Sequence, residues 1–416
     1  MSGTQAFANF DKTAQGVQRA PAGTLAMPYR CRVFDSIGAV DLDAWRRVCA
    51  DSGASIFMDP RFIAAIESSM KSYCRFWYVI VDDADGRPVA CAALSTMTVD
   101  VLDFGDPRVT WLIKLAPKLL SKFRKLKVLF CSLPGSPGEK SLALASADTG
   151  PILSALDAVM CDLAKDTGMD AIIYKEFGQN DLQGMSPLLA RGYRQTEIPP
   201  MHLFEPSFEN FAQYCAALKK KYRQTINRSM RKLKDVGVNQ SILTDPDEIL
   251  SVYTPKVHAM YCDVASKSDL RLEIFPIEYY HQMALRLDGQ LELVAFFKDS
   301  EIIAFGWCLH DGSTYHMMYA GIDYESNAEF DLYFNLMYAL LDRALQKRVT
   351  RINVGQTATA FKARVGCYPD ALYVFMKGVG PFMSRLFYYG SNFMVIKKPS
   401  DPPSDIFRRE GGAAAQ

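Results

Sequence analysis

Lysine and arginine gather at two places in this 416-residue chain, and each stands where an anion can be held. The first is Arg351–Gly366, which reads RINVGQTATAFKARVG. Ile352 and Val354 form a short β run that meets Gly355, Gln356 and a small-residue turn. The spacing predicts a helix from near Phe361, with Lys362 and Arg364 in its first turn. A strand opening onto a helix N-terminus is where open α/β sheets take ligands, and the dipole there favours negative charge. Gln356, Lys362 and Arg364 are therefore expected to bind the phosphate- or carboxylate-bearing part of a substrate. An ordinary strand-to-helix turn with surface cations fits the same residues. The second place is Lys219–Lys234, with eight cations and no acid in 16 residues. On a helix, Lys220, Arg223, Asn227 and Arg231 line one stripe and set up a local positive field. Coenzyme A phosphates, a nucleotide-linked sugar, a tRNA acceptor end and anionic lipid are the ligands such a field suits; a solvated face is the alternative. Arginine suits forked phosphate contacts, so Arg223 and Arg228 are the first choices.

Proton transfer needs different residues. Lys175-Glu176 closes the strand predicted at Ala171–Tyr174. Glu176 there can act as a base and Lys175 can hold a substrate, or the two can form an ion pair that closes the sheet. All five histidines lie beyond residue 200 with no metal-ligand spacing. His316, in the strand Tyr315–Tyr319, is a second candidate base or a packed strand histidine. Tyr319 and Tyr333 can donate to a leaving thiolate, line an acyl pocket, or be structural. No Gly-x-Ser-x-Gly precedes a helix, so a nucleophilic serine is not expected. The ten cysteines are scattered without a Cys-x-x-Cys pair, which disfavours zinc and a disulfide framework and suits a reducing cytoplasm.

Composition narrows the remaining classes. A hydrophobic content of 49% is that of a globular chain with a core, and 416 residues suffice for two domains. A net charge of +1 argues against a dedicated nucleic-acid binder, and no DNA partner is expected. The N-terminus resembles no signal peptide, and no run of 18 apolar residues predicts a membrane span. Residues 1–28 and the tail after Pro399 read as disordered.

Between the tails the elements fall in a repeated order. Helices are expected at Leu42–Ser52 and Pro60–Ser72, with Asp59 capping Pro60. A hairpin follows (Phe76–Val81, Pro88–Thr96). Val109–Phe130 reads as a basic amphipathic helix, with a solvated side, membrane contact and a substrate lid all open to it. Val128–Ser132 then reads as a strand, and the breaker-rich loop Leu133–Gly138 follows. After a helix at Ala147–Thr167 and the strand ending in Lys175-Glu176 come a helix (Leu182–Gly192) and a strand (Tyr193–Phe204). Residues 207–396 repeat the outline: helices, a hairpin (Leu291–Lys298, Glu301–His310), a strand, a polar loop (Tyr324–Glu329), the helix Asp331–Lys347, a strand and a helix. The aromatic segment Gly380–Ile396 is expected to cap the core.

That order, with Val354-Gly355-Gln356, Lys362, Gly366, Lys175-Glu176-Phe177 and Arg223-Gln-Thr-Ile226-Asn-Arg228, resembles the Fem-type acyltransferases of the GNAT superfamily, over about residues 30–390. The resemblance implies an α/β fold of two tandem GNAT-like halves, 29–206 and 207–396, each a mixed twisted sheet flanked by helices, with the main site in the C-terminal half at the interface. It implies an N-acyltransferase that joins an acyl group to a small amine-bearing acceptor. The expected donor is a CoA or carrier thioester, with acyl-CoA as co-substrate and no bound cofactor. Aminoacyl-tRNA-dependent transfer is the alternative, and a non-catalytic module touching an anionic membrane or a partner is a third. Carried onto this sequence, Arg223 and Arg228 would face a phosphate-bearing substrate. One departure stands out. Simple acetyltransferases of the superfamily hold pyrophosphate on a Gly-rich loop, where this chain has Tyr324–Phe330, with no glycine and two glutamates.

Overall fold

The structure, a computed structural model, describes residues 29–100, 125–267, 274–390 and 405–408. Its frame is one 13-stranded sheet. The strands are β1 (Arg30–Phe34), β2 (Phe76–Asp82), β3 (Pro88–Asp100), β4 (Lys125–Cys131), β5 (Leu142–Leu144), β6 (Ala171–Gly178) and β7 (Arg194–Phe204) in the first half of the chain. In the second half they are β8 (Asn239–Leu243), β9 (Leu291–Lys298), β10 (Glu301–His310), β11 (Thr314–Ile322), β12 (Arg351–Asn353) and β13 (Tyr368–Gly378). The spatial order is β1-β2-β3-β4-β6-β13-β7-β12-β11-β10-β9-β8, with β5 alongside β3.

This order has a hidden symmetry. Each half contributes a four-stranded antiparallel run, then one parallel pair: β4 with β6, and β11 with β12. The next strand is exchanged. β13, late in the chain, closes β6, and β7, from the first half, closes β12. The two exchanged strands then pair with each other along their length. The fold class is thus the expected pair of GNAT-like halves, joined through one continuous sheet. A short repeat accompanies it. Phe177-Gly178-Gln179 at the end of β6 matches Val354-Gly355-Gln356 after β12, and each is followed by short helical structure and a left-handed glycine (Gly192, φ 87°; Gly366, φ 94°) before the exchanged strand.

The helices cover both faces. Helix Leu42–Ser52 is capped by Asp41 and ended by left-handed Gly53. In helix Pro60–Met70, Asp59 caps the chain as its sequence predicts, accepting from the Arg61 amide. Helix Pro60–Met70 lies against helix Ile277–Arg286, so one core containing Trp45, Phe57, Phe62, Tyr280 and Trp307 belongs to both halves. On the other face, helix Thr149–Asp166 covers the first half and helix Leu332–Gln346 the second. Both hairpins fall where alternation and turn residues put them; Asp299 and Ser300 take positive φ (50° and 67°), the turn a two-residue hairpin favours.

Three expectations change. The helix read over Val109–Phe130 gives way to strand β4 from Lys125, where Lys125 and Lys127 face out and Leu126 and Val128 face in; residues 109–124 lie outside the described residues. Alternating charge fits a half-exposed strand as well as a basic helix over so few residues. The polar loop at Tyr324–Glu329 is helix Tyr324–Phe330. In the tail, Ile406 is fully buried and Phe407 bridges to Leu218, so residues 405–408 dock on the second core; the other tail residues lie outside the described ones. Helix Gly380–Gly390 buries Phe387 as expected of a core cap, but leaves Phe382 exposed.

Candidate functional site

The parallel pairs do not stay together. β4 and β6 pair only as far as Cys131 and Tyr174, and β11 and β12 only as far as His316 and Asn353. Chemistry-bearing residues sit at both partings. Beyond Tyr174, two residues of β6 oppose one of β13, because Tyr174 faces Phe375 and Phe177 faces Tyr373. In this bulge Glu176 takes φ 71°, a left-handed conformation that costs a non-glycine residue on the order of 1–2 kcal/mol. The bulge turns the Glu176 carboxyl inward to 4% exposure. Lys175 holds its Oε1 at 3.0 Å, while Oε2 has no hydrogen-bond partner. Burial pushes the carboxyl up, against the pull of Lys175 and the Gly138 backbone.

Loop Leu133–Gly138 lies over this point. Gly138 (φ 72°) is pressed so closely on Met201 of β7 that a Cβ would meet it at 2.3 Å. The loop carries Glu139, which the sequence reading passed over. Burial raises its carboxyl; His316 and the Ser55 hydroxyl pull it down, and Glu176 and Asp311 push it further up. His316 is buried at 2% exposure, edge-on to Phe57 at 4.9 Å. Neither ring nitrogen has a hydrogen-bond partner, since Asp311 Oδ2 stands 3.7 Å from Nε2. Ser55, beside the 3-10 turn Ile56–Met58, caps nothing, and its hydroxyl is also unpartnered. Segments from both halves therefore meet along one polar seam: Ser55, Glu139, Lys175 and buried Glu176 from the first half, and buried His316 with exposed Asp311 from the second.

A second group lies at the end of β12. His202 on β7 is buried, and its backbone amide and Nδ1 each sit 3.1 Å from the Gly355 carbonyl. That contact puts the proton on Nδ1 and leaves Nε2 bare, with no partner. Burial and the neighbouring Lys362 charge push this imidazole down to about 4. Lys362 is 3% exposed, and burial pulls its ammonium down to about 7. It forms no ion pair among the described residues.

The other expected site residues divide. The Tyr319 ring packs with Tyr261, Phe275, Tyr279 and Tyr280, and its hydroxyl reaches loop 133–138, 3.3 Å from where a Gly135 Cβ would stand. Tyr333 packs on Phe361, and burial pushes its phenol up to about 12. Gln356 uses its amide on the Pro199 carbonyl at 2.9 Å, bracing β7. Helix Thr359–Arg364 is only six residues long and places Lys362 and Arg364 in its last turn. The two cations therefore do not reinforce an N-terminal dipole, as the sequence had led one to expect; the helix starts two residues earlier than Phe361, after left-handed Ala358. Arg364 is exposed. Arg223 and Arg228 lie on helix Lys220–Lys234, Arg223 over the Ala216 carbonyl at 3.5 Å and Arg228 in solvent, with no contact to the seam.

That basic helix has a structural task as well. Asp331, left-handed at φ 50°, precedes helix Leu332–Gln346. Its carboxylate accepts from Ser229 and Lys232 of the basic helix, each at 2.9 Å. Asn335 donates to the Ser229 and Phe330 carbonyls. The Asp331 carboxylate is thus turned to the basic helix and makes no cap hydrogen bond to helix Leu332–Gln346, whose start it ties to helix Lys220–Lys234.

Comparison with known proteins bears on the fold. A family model described as an acetyltransferase (GNAT) domain matches residues 220–363. Among solved structures, FemX superimposes with a TM-score of 0.52 at 11% identity, over 80% of this chain and 95% of its own. L-PGS from Bacillus licheniformis gives 0.50 at 11% identity, over 85% and 98%. Residues 220–363 are thus similar to a GNAT domain, and the whole chain shares the fold of FemX. A Bacteroides thetaiotaomicron protein of unknown function shares that GNAT-type architecture with a TM-score of 0.50 at 12% identity, over 84% and 99%. No curated protein sequence matches the chain. Within the stretch that the family model matches fall Asp311, His316, Asn353, Gly355 and Lys362, whereas Glu139 and Glu176 come from the half before it.

Proposed function

We propose that this chain is an N-acyltransferase that forms an amide on a small amine-bearing acceptor. The observation that carries the reading is Glu176: a buried carboxylate in a strained bulge, with one oxygen unpartnered, where two strands part in a GNAT-type fold. A stability-driven fold would have paired that oxygen. The acceptor amine gives a proton to Glu176, or to His316 across the seam, and attacks the acyl carbonyl. The C–N bond forms and the bond to the leaving thiol or hydroxyl breaks. Lys362, near neutral at about 7, is matched to returning a proton to that leaving group. Arg223, Arg228 and Arg364 would steer an anionic donor.

The donor is a CoA or carrier thioester on the first reading. A second reading takes an aminoacyl-tRNA as the donor, because the exposed cations of helix Lys220–Lys234, Arg228 among them, leave a basic face open to a polyanion. No described helix is long and apolar enough to cross a membrane, and we place the chain in the cytoplasm, with anionic membrane contact through its basic helix. The test is transfer to hydroxylamine from acetyl-CoA, palmitoyl-CoA and charged tRNA, with hydroxamate measured. Product from one donor, lost in Glu176→Gln, supports the reading and names the donor. No product from any of them favours the non-catalytic module.

A further inference from the structure

Helix Leu42–Ser52 packs on β3, and two thiols face each other across that contact. Cys49 Sγ stands 3.8 Å from Cys91 Sγ, although 42 residues separate them along the chain. A disulfide is about 2.05 Å long, so the two sulfurs need only a small closing movement to bond. The pair is unequal. Cys91, inside β3, is fully buried, and burial pushes its thiol well above the usual range. Cys49, in the last turn of the helix, is half-buried and keeps contact with solvent. An accessible thiol backed by a second thiol is the arrangement in which a sulfenic acid is resolved to a disulfide.

Cys49 also holds a turn that borders the seam. Its Sγ lies 3.9 Å from the Met58 carbonyl, which accepts from Trp45 Nε1 at 2.8 Å. Its own carbonyl accepts from the Ala54 amide at 2.9 Å and from the Ser52 hydroxyl at 3.2 Å. One residue thus touches both ends of the stretch Gly53–Met58. That stretch carries Ser55 and Phe57, and the Phe57 ring meets His316 edge-on at 4.9 Å.

We propose that Cys49 and Cys91 are an oxidant-sensing thiol pair, which a peroxide closes into a reversible disulfide that shifts the stretch Gly53–Met58 against His316. Hydrogen peroxide gives one oxygen to Cys49: the O–O bond breaks, an S–O bond forms, and a first water leaves. Cys91 then attacks the sulfenic sulfur. The S–S bond forms, the S–O bond breaks, and the hydroxyl leaves as a second water with the Cys91 proton. Together the two thiols lose two electrons and two protons, and the peroxide takes up both. A small dithiol reopens the bond by exchange, so the link is transient in a reducing compartment. Closure draws the Cys49 sulfur off the Met58 carbonyl, and the packing that positions Phe57 shifts with it.

The full-length protein is treated with hydrogen peroxide, its remaining thiols are blocked with N-ethylmaleimide, and its peptides are mapped without reduction. A linked Cys49–Cys91 peptide is expected, lost on adding dithiothreitol. In Cys91→Ala the link gives way to a Cys49 sulfenic acid that dimedone captures, and in Cys49→Ser neither appears. The effect at the seam is read from the His316 Cε1 resonance of ¹³C-labelled protein, assigned by its loss in His316→Gln. It should move on oxidation, return with dithiothreitol, and stay still in Cys49→Ser, where unchanged resonances of the other histidines show that the variant folds. Thiols left free, Cys49 carried only to sulfinic or sulfonic acid, or a link from either cysteine to a different partner overturns the pair. A Cys49–Cys91 link that leaves His316 unmoved overturns its tie to the seam. Neither readout needs turnover, so the absence of hydroxamate would remove the acyl-transfer reading alone.

Discussion

Two kinds of buried carboxylate occur in this molecule, and they are treated in opposite ways. Asp157, 2% exposed, is clamped by Tyr193, Arg191 and Lys377, the cations at 2.7 and 3.0 Å. Glu292, 1% exposed, is held by Arg343 and Lys347, both at 2.7 Å. Burial pushes both carboxyls up, yet their partners outweigh it and leave them below the ordinary range. Glu176 and Glu139 are desolvated too, but burial wins and both are raised. Burial alone therefore does not mark a site. A carboxylate with its partners supplied holds the fold, and Glu176, with Oε2 unpartnered, is the one we propose for a substrate.

The comparison breaks or holds on stability first. Asp157→Ala leaves two cations facing a buried gap and should cost about 3 kcal/mol in thermal or denaturant unfolding. Glu176→Gln keeps the shape of a side chain held only at Oε1, by the half-exposed Lys175, and should change stability by no more than about 1 kcal/mol, while lowering transfer by about 100-fold or more once a donor is known. Equal destabilisation in the two variants would erase the distinction drawn here.

The pH dependence sharpens it. Asp157 and Glu292 have depressed folded values, so their contribution is present above the unfolded carboxyl range and is lost as acid carries the pH through the folded values. Glu176 has a raised folded value, so its contribution is largest in acid and is lost as pH rises through that value. Urea unfolding from pH 4 to 8 should show stability falling less steeply with rising pH in Glu176→Gln than in the parent. Lys362 runs the other way, since a lysine lowered to about 7 binds fewer protons folded than unfolded. Stability should rise between about pH 7 and 10, and Lys362→Met should flatten that rise. The smallest effect is expected at Arg228, exposed on the basic helix. Arg228→Gln should leave stability within about 0.5 kcal/mol and weaken donor binding only at low salt, read by repeating the transfer assay across a salt series.

Much of this was legible in the chain itself. The hairpins, the Asp59 cap, the strand ending at Glu176 and the burial of strand residue His316 follow from alternation, turn residues and capping chemistry. What stayed hidden is non-local or conformational. No residue type announces that Glu176 is left-handed, because that state is usually glycine's. Glu139 follows a loop that reads as a common breaker run, and its meaning comes from His316, distant in sequence. Helix Thr359–Arg364 was legible in kind but not in extent, and a shift of two residues moved Lys362 and Arg364 from its start to its end. The strand exchange leaves only the faint echo Phe-Gly-Gln and Val-Gly-Gln.

That exchange sets the schedule on which a nascent chain can mature. β6 is synthesised nearly 200 residues before β13, the strand that covers its edge. Until the second half has left the ribosome, the first half presents an uncapped edge, open to wrong partners and to chaperones. The seam cannot exist before that moment, since Glu176 is set in its bulge only against β13. Assembly of the seam thus waits on the synthesis of β13, and a product truncated before that strand would lack both the bulge and the cover of β6.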